Sequence, residues 1–270
     1  MEPLMNPLDI SMEQVSVLFG DRPVLDKVNL QISPGKTTVI IGVSGSGKSI
    51  LLKVMAGLIP PTHGAVKRDG KSLFLLSDKE EIEFRRRTGF VFQDGALWAN
   101  RTIEQNVRFP LEVHFPKLSQ EEMQRRVEEY LREVGYEDRL DYRPSQISAG
   151  EQKMVSFARA MITDPEFLFL DTPLVGIDSS SALAIQKIIK KLNKQGRTMV
   201  GGFIDAELIS IIADNLIILN KGSIAAHGTF AEVRQSSNPV VQRVLEIVMK
   251  HAAAYDEDIL SLLDNEADLF

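Results

Sequence analysis

Apolar and polar residues alternate from 10 to 32 on either side of Gly20-Asp21, which predicts a β-hairpin. The β-branched run 37–41 predicts a strand, and the apolar stretch 50–58 a helix. Residues 60–64 carry loop chemistry, 65–76 read as short strands around Asp69-Gly70, and the charged stretch 80–87 reads as a helix. Residues 88–93 form a strand pattern ending on Gln93. Residues 118–134 have helical spacing, opened by Ser119 with Glu122 three residues on, a capping-box pattern. A further helix is expected over 148–161. The apolar run 167–170, ending in Asp171, reads as a buried strand. An amphipathic helix over 182–192 and strands over 198–204 and 216–219 complete the pattern. Strands alternating with helices predict an α/β fold with a parallel sheet, into which the helix-rich stretch 95–162 is inserted.

Chemistry enters at Gly42-Val43-Ser44-Gly45-Ser46-Gly47-Lys48-Ser49. This run fits G-x-x-x-x-G-K-[ST], the P-loop, and it lies between an expected strand and an expected helix, as the motif requires. Glycines let backbone N–H groups crowd onto phosphate oxygens, and the helix N-terminus adds favourable partial charge. Lys48 is expected to reach the β- and γ-phosphates and Ser49 to ligate Mg²⁺. The net charge of −6 argues against a nucleic-acid binder that relies on bulk positive charge. Much of that charge sits in the tail, where Asp256, Glu257, Asp258, Asp264, Glu266 and Asp268 follow the last cation, Lys250. The absence of cysteine rules out disulfides and thiolate metal sites. Neither a signal-peptide pattern nor an 18-residue apolar run is found, so no membrane span is expected.

Downstream, Ile147-Ser148-Ala149-Gly150-Glu151-Gln152 opens a helix. Alone, a Ser-x-Gly helix start is an N-cap. In order after a P-loop, it resembles the ABC signature L-S-G-G-Q, with Ala149 for the first glycine and Glu151 for the glutamine. Phe19 lies where that family places an adenine-stacking aromatic, Gln93 resembles the Q-loop glutamine, the run 167–171 resembles Walker B, and Gly176-Ile177-Asp178 resembles the D-loop. The resemblance to ABC ATPases covers residues 10–230. It implies a RecA-like P-loop NTPase core with an N-terminal antiparallel β subdomain, together 1–94 and 163–235. It also implies a helical subdomain over 95–162 and a C-terminal extension over 236–270. ATP and Mg²⁺ are the implied cofactors. Phe19, Gly42, the loop 44–49 and Ile50 would hold nucleotide, with Ser148, Ala149, Gly150, Glu151 and Asp178 acting across a dimer. Ser49, Gln93 and Asp171 would hold the metal.

Two positions depart from the family. Thr172 stands where the general-base glutamate follows the Walker B aspartate, and Ile204 stands where a histidine precedes Asp205. A hydroxyl is no useful base near neutral pH, and an isoleucine cannot hydrogen-bond a phosphate or a water. The resemblance therefore implies an ATP-binding subunit with weak or absent hydrolysis at its own site. A non-hydrolysing module that gates or assembles a complex, and an active enzyme with unusual residues, remain open alternatives. Asp205 and Asp178 are the candidate substitute bases.

The stretches Gly95-Ala96-Leu97-Trp98 and Asn106-Val107-Arg108-Phe109-Pro110-Leu111 are similar to ATPases of Mce/Mla-type lipid transporters. That similarity implies membrane permease subunits as partners and a second ATPase subunit, identical or different. It also implies phospholipid or hydrophobic-molecule transport, and a peripheral place on the cytoplasmic face of a bacterial inner membrane. Another class of ABC transporter fits the same core. The acidic tail with Ile259, Leu260, Leu262 and Leu263 reads either as a disordered segment or as a docking element for a dimer mate or accessory subunit.

Overall fold

A computed structural model describes residues 8–247. In chain order the strands are β1 (Ile10–Phe19), β2 (Arg22–Ile32), β3 (Thr37–Ile41), β4 (His63–Arg68), β5 (Lys71–Ser72), β6 (Thr88–Val91), β7 (Phe167–Leu170), β8 (Thr198–Gly202), β9 (Asn215–Asn220) and β10 (Ser223–Thr229). The helices are α1 (Lys48–Met55), α2 (Asp78–Arg87), α3 (Ile103–His114), α4 (Gln120–Glu133), α5 (Ala149–Met161), α6 (Ser179–Lys194), α7 (Ala206–Ile212) and α8 (Phe230–Arg234). A last helix begins at 239 and runs to the end of the described residues. The tail readings for 248–270 lie outside them.

The expected hairpin forms: β1 pairs antiparallel with β2 and, on its other edge, with β4, giving a sheet of order β2-β1-β4-β5. The second sheet has the order β10-β9-β3-β8-β7-β6, parallel except for the antiparallel edge strand β10. Every residue of β3, β7 and β8 is buried, because this sheet is covered on both faces. Alternation then sorts side chains between two cores. Phe167 and Phe169 join Leu51 and Leu52 of α1 and the inner face of the small sheet. Leu168 and Leu170 join α3, α4, α5 and α6 on the other side. Burying a phenylalanine such as Phe169 contributes about 1.5–3 kcal/mol.

Helix starts follow local chemistry. Ser77, Thr102, Ser148 and Thr229 each form a capping box with the residue three on. Ser119 accepts from the Glu122 N–H as expected, but the Glu122 carboxylate turns to Arg125 and Arg126 instead of closing the box. Other expectations shift. α1 starts at Lys48 and stops at Met55, α6 is longer at both ends than 182–192, and β8 stops at Gly202. α3 and α7 arise where no helix was expected.

Candidate nucleotide site

Parallel strands deliver the chemistry to one edge. Gly42 follows β3, Asp171 follows β7, Gln93 lies just beyond β6 and Asp205 beyond β8, all at carboxyl ends, where open α/β sheets bind ligands. The loop between β3 and α1 is a tight turn, closed by the Ser46 N–H donating to the Val43 carbonyl at 3.1 Å. Gly42 must lack a side chain: a Cβ there would lie 2.4 Å from the Leu219 carbonyl oxygen and 2.5 Å from Ser46 Oγ. Gly47 caps α1 at φ 105°, a left-handed conformation that side chains resist. Ser44 and Gly45 are exposed on the crest of the loop, and Ile50 is half-buried in the first turn of α1.

Lys48 curls over its own loop, donating from Nζ to the Gly42 carbonyl at 2.6 Å and to the Val43 carbonyl at 3.2 Å. Burial pushes its pKa down, and the charge of Asp171 pulls it part of the way back. Ser49 Oγ donates to Asp171 Oδ1 at 2.8 Å, and Asp171 is buried at 2% exposure. A cavity of about 490 Å³ opens beside them, lined by Ser49, Gln93, Ala149, Lys153, Asp171 and Gly176 among others.

These residues fit a Mg²⁺–nucleotide. The loop offers backbone N–H groups at a helix start, and Gly45 has open space where a Cβ would stand. The Ser49–Asp171 pair is an all-oxygen donor set, suited to a hard cation. No cluster of three or more His, Asp or Glu capable of holding a metal exists among the described residues. Mg²⁺ here would therefore draw further ligands from phosphates and from Gln93. Phe19, at the end of β1, is 55% exposed, with its aromatic ring available for stacking.

The signature residues do structural work within their own chain. Ser148 Oγ accepts from the Glu151 N–H at 3.2 Å, and the Ser148 N–H donates to Glu151 Oε2 at 2.7 Å. Glu151 thus completes the cap of α5. Gly150 packs against the start of α6, where a Cβ would lie 2.0 Å from Ser181 Oγ and 2.7 Å from Asp178 Oδ2. Asp178 caps α6, accepting from the Ser181 N–H and from the hydroxyls of Ser180 and Ser181. These bonds hold its carboxyl far below the usual carboxylate range, so it is no proton acceptor near neutral pH. Asp205 caps α7 and also accepts from Gln186 Nε2 at 2.9 Å. Both candidate substitute bases are thus engaged as caps.

Thr172 has φ 44°, a left-handed backbone that a β-branched residue resists. Its hydroxyl is buried and has no hydrogen-bond partner among the described residues. Ile204 is 44% exposed. Gly202, on the neighbouring strand, would bring a Cβ to 3.3 Å from Thr172 Cγ2, and Gly201 leaves the space that the Phe203 ring fills.

Sequence reasoning missed Lys153. A lysine in a polar-looking helix start reads as solvated, yet this one is buried and lines the cavity. Trp98 is organised more firmly than the sequence suggested. Buried Asn106 accepts from the Trp98 N–H and donates to the carbonyls of Trp98, Arg101 and Thr102. The Trp98 ring then meets Phe109 edge-on at 4.5 Å, and Arg101 lies 5.2 Å from its centroid.

Comparisons with known proteins agree with this geometry. Residues 25–175, more than half of the chain, match the ABC transporter family. The intermembrane phospholipid transport system ATP-binding protein MlaF of Haemophilus influenzae is 34% identical over 243 residues, 90% of this chain and 92% of that protein. The methionine import ATP-binding protein MetN of Carboxydothermus hydrogenoformans is 34% identical over 259 residues, 90% of this chain and 76% of its own. A bacterial ABC transporter cassette solved as a dimer superposes with a TM-score of 0.75 at 32% identity, covering 82% of this chain and 98% of that one. A dimeric cassette in a post-hydrolysis state with ADP and Pi gives 0.74 at 31%, with the same coverage. The P-loop, the Walker B aspartate and the capped signature helix stand in one cassette, and this chain belongs to the ABC transporter family as an ATP-binding subunit.

Proposed function

We propose that this chain binds Mg²⁺–ATP in a transporter of phospholipids or related hydrophobic molecules, with little or no hydrolysis at its own site. The observation that carries the reading is position 172. A buried hydroxyl with no hydrogen-bond partner among the described residues follows Asp171, where the resemblance places a carboxylate base, and apolar, exposed Ile204 stands where it places an imidazole. ATP supplies the phosphoanhydride. The chain's own contribution is binding: Lys48 and the loop amides neutralise and orient phosphates, Ser49 and Asp171 hold the cation, and Gln93 completes the cavity rim. Loss of a positioned base costs about 10²–10⁴ in rate, so occupancy outlasts turnover. A site that holds ATP without cleaving it stabilises, by mass action, whichever form of the complex binds ATP.

The resemblance at 95–98 and 106–111, together with MlaF similarity over 92% of that protein's length, supports the lipid substrate class; MetN is equally identical, at 34%, over 76% of its own length. On this reading the chain sits on the cytoplasmic face of a bacterial inner membrane. Residues 95–162 dock on permease subunits, and a second ATPase subunit faces the nucleotide. No helix among the described residues is long and apolar enough to cross a membrane. Because Ser148 lies at an open helix start and Lys48 in the weak site, the two can be separated by mutation. In the complex isolated from its own membrane, Ser148→Arg lowers ATPase activity at least about 10²-fold, and Lys48→Ala lowers it much less. Equal losses would overturn the asymmetric assignment. A purified complex containing only copies of this chain would favour the second reading, a gating or assembly module.

A further inference from the structure

Helix α5 sends two cations toward the segment that carries Gln93. Lys153, only 3% exposed, donates from Nζ to the Phe92 carbonyl at 3.0 Å and to the Gln93 carbonyl. Arg159, farther along the same helix, donates from Nη1 to the Ala96 carbonyl at 2.7 Å and from Nη2 to the Gly95 carbonyl at 2.8 Å. The segment between is folded to present those oxygens. The Gly95 N–H donates back to Phe92 at 3.0 Å, and both Gly95 and Ala96 have left-handed backbones, at φ 74° and 46°.

A buried ammonium is costly unless it is held by oxygen partners. Burial pushes Lys153 below the ordinary lysine range and Arg159 down to about 10, and the charge of Asp94 opposes both shifts. A methionine or leucine would pack α5 at lower cost. What the ammonium adds is a grip on the main chain at Gln93, from a helix whose first turn is capped by Ser148. Two cations on one rigid helix, holding the carbonyls of residues 92, 93, 95 and 96, make a strap, because neither end can shift without breaking a charge-assisted bond.

Resting on the nucleotide reading above, we infer that Lys153 is the positioning residue for Gln93, and that the strap makes α5 and residues 92–96 move as one body when the site fills. The consequence is directional. A displacement of Gln93 in this chain's own site reaches Ser148, the N-cap of α5, and Trp98, two residues beyond the strap.

Trp98 is the chain's one tryptophan and serves as the reporter. The full-length chain is titrated with Mg²⁺–ATP, binding is followed by calorimetry, and Trp98 emission is read at saturation so that affinity drops out. The wild-type chain is expected to change its emission on filling. Lys153→Met retains less than half of that change, Lys153→Arg restores most of it, and Arg159→Met loses it as Lys153→Met does. A wild-type chain that binds ATP with silent emission overturns the inference. So does a saturated Lys153→Met chain with the full change, or a Lys153→Arg chain as defective as Lys153→Met. Should Lys153→Met not fold, the Arg159→Met and Lys153→Arg pair decides it alone. A wild-type chain with no calorimetric ATP binding would sink the nucleotide reading itself, which the emission arms leave separate.

Discussion

Thr172→Glu combined with Ile204→His raises ATP turnover at this subunit's own site by at least about 10²-fold. The rest of the machinery is already assembled: Lys48 over the loop, Ser49 on Asp171, and Gln93 on the same cavity. What is missing is a proton acceptor beside Asp171 and a polar group at the end of β8. Neither nearby carboxylate can substitute. Asp178 is held ionised by three donors, and Asp205 is committed to the first turn of α7 and to Gln186. Each single substitution should recover less than its share, because groups that act on one water act as a unit. Phosphate release under ATP saturation checks this, with binding measured in parallel. Intact binding and unchanged turnover in the double variant would mean that the two departures do not limit the site.

Gly150→Ala destabilises the fold by about 1–3 kcal/mol, the range for forcing one extra methyl into a packed interior. The added carbon would fall 2.0 Å from Ser181 Oγ and 2.6 Å from Ser181 Cβ, so α5 or α6 must shift. Ser181→Gly in the same background removes both atoms and should return part of the loss, with Asp178 Oδ2 still at 2.7 Å. Ser148→Arg, at an exposed cap, stays within about 1 kcal/mol of the parent apart from the cap itself. Thermal or denaturant melts of the four chains separate the cases. The comparison matters because a signature glycine is easily credited with phosphate contact alone. Here it is also required for two helices of one chain to meet. An alanine variant that melts like the parent would remove that structural role.

The parts of the molecule governed by local chemistry were readable in advance. Gly42 to Ser49 announces its turn because Gly42 has no room for a side chain and Gly47 takes a left-handed backbone, and the runs 37–41 and 167–170 announce strands buried on both faces. Helix α3 stayed hidden because Pro110 sits inside it, where it cannot donate to the Asn106 carbonyl. Its start was nonetheless written in Thr102 and Gln105, a capping box overlooked beside the proline. Helix α7 has only seven residues, too few for a helical period to show. β8 ends early because the chain turns after Gly202 toward the Asp205 cap. At the site, residue identity singled out the loop 42–49, Asp171 and Gln93, and the structure brings Ser49, Gln93 and Asp171 to one cavity. The strap from Lys153 and Arg159 and the Gly150–Ser181 contact join segments distant along the chain, and charged or small residues carry no mark of such partners.

The left-handed backbone at Thr172 has a consequence for how this protein would change under selection. A β-branched residue at φ 44°, whose buried hydroxyl has no hydrogen-bond partner among the described residues, costs about 1–3 kcal/mol. A library screened for heat resistance alone should therefore replace it early, with glycine or asparagine favoured. Such survivors would be sturdier proteins by an easy route. Retention of threonine in a screen that also demands transport would mark the residue as a brake kept for its slowness.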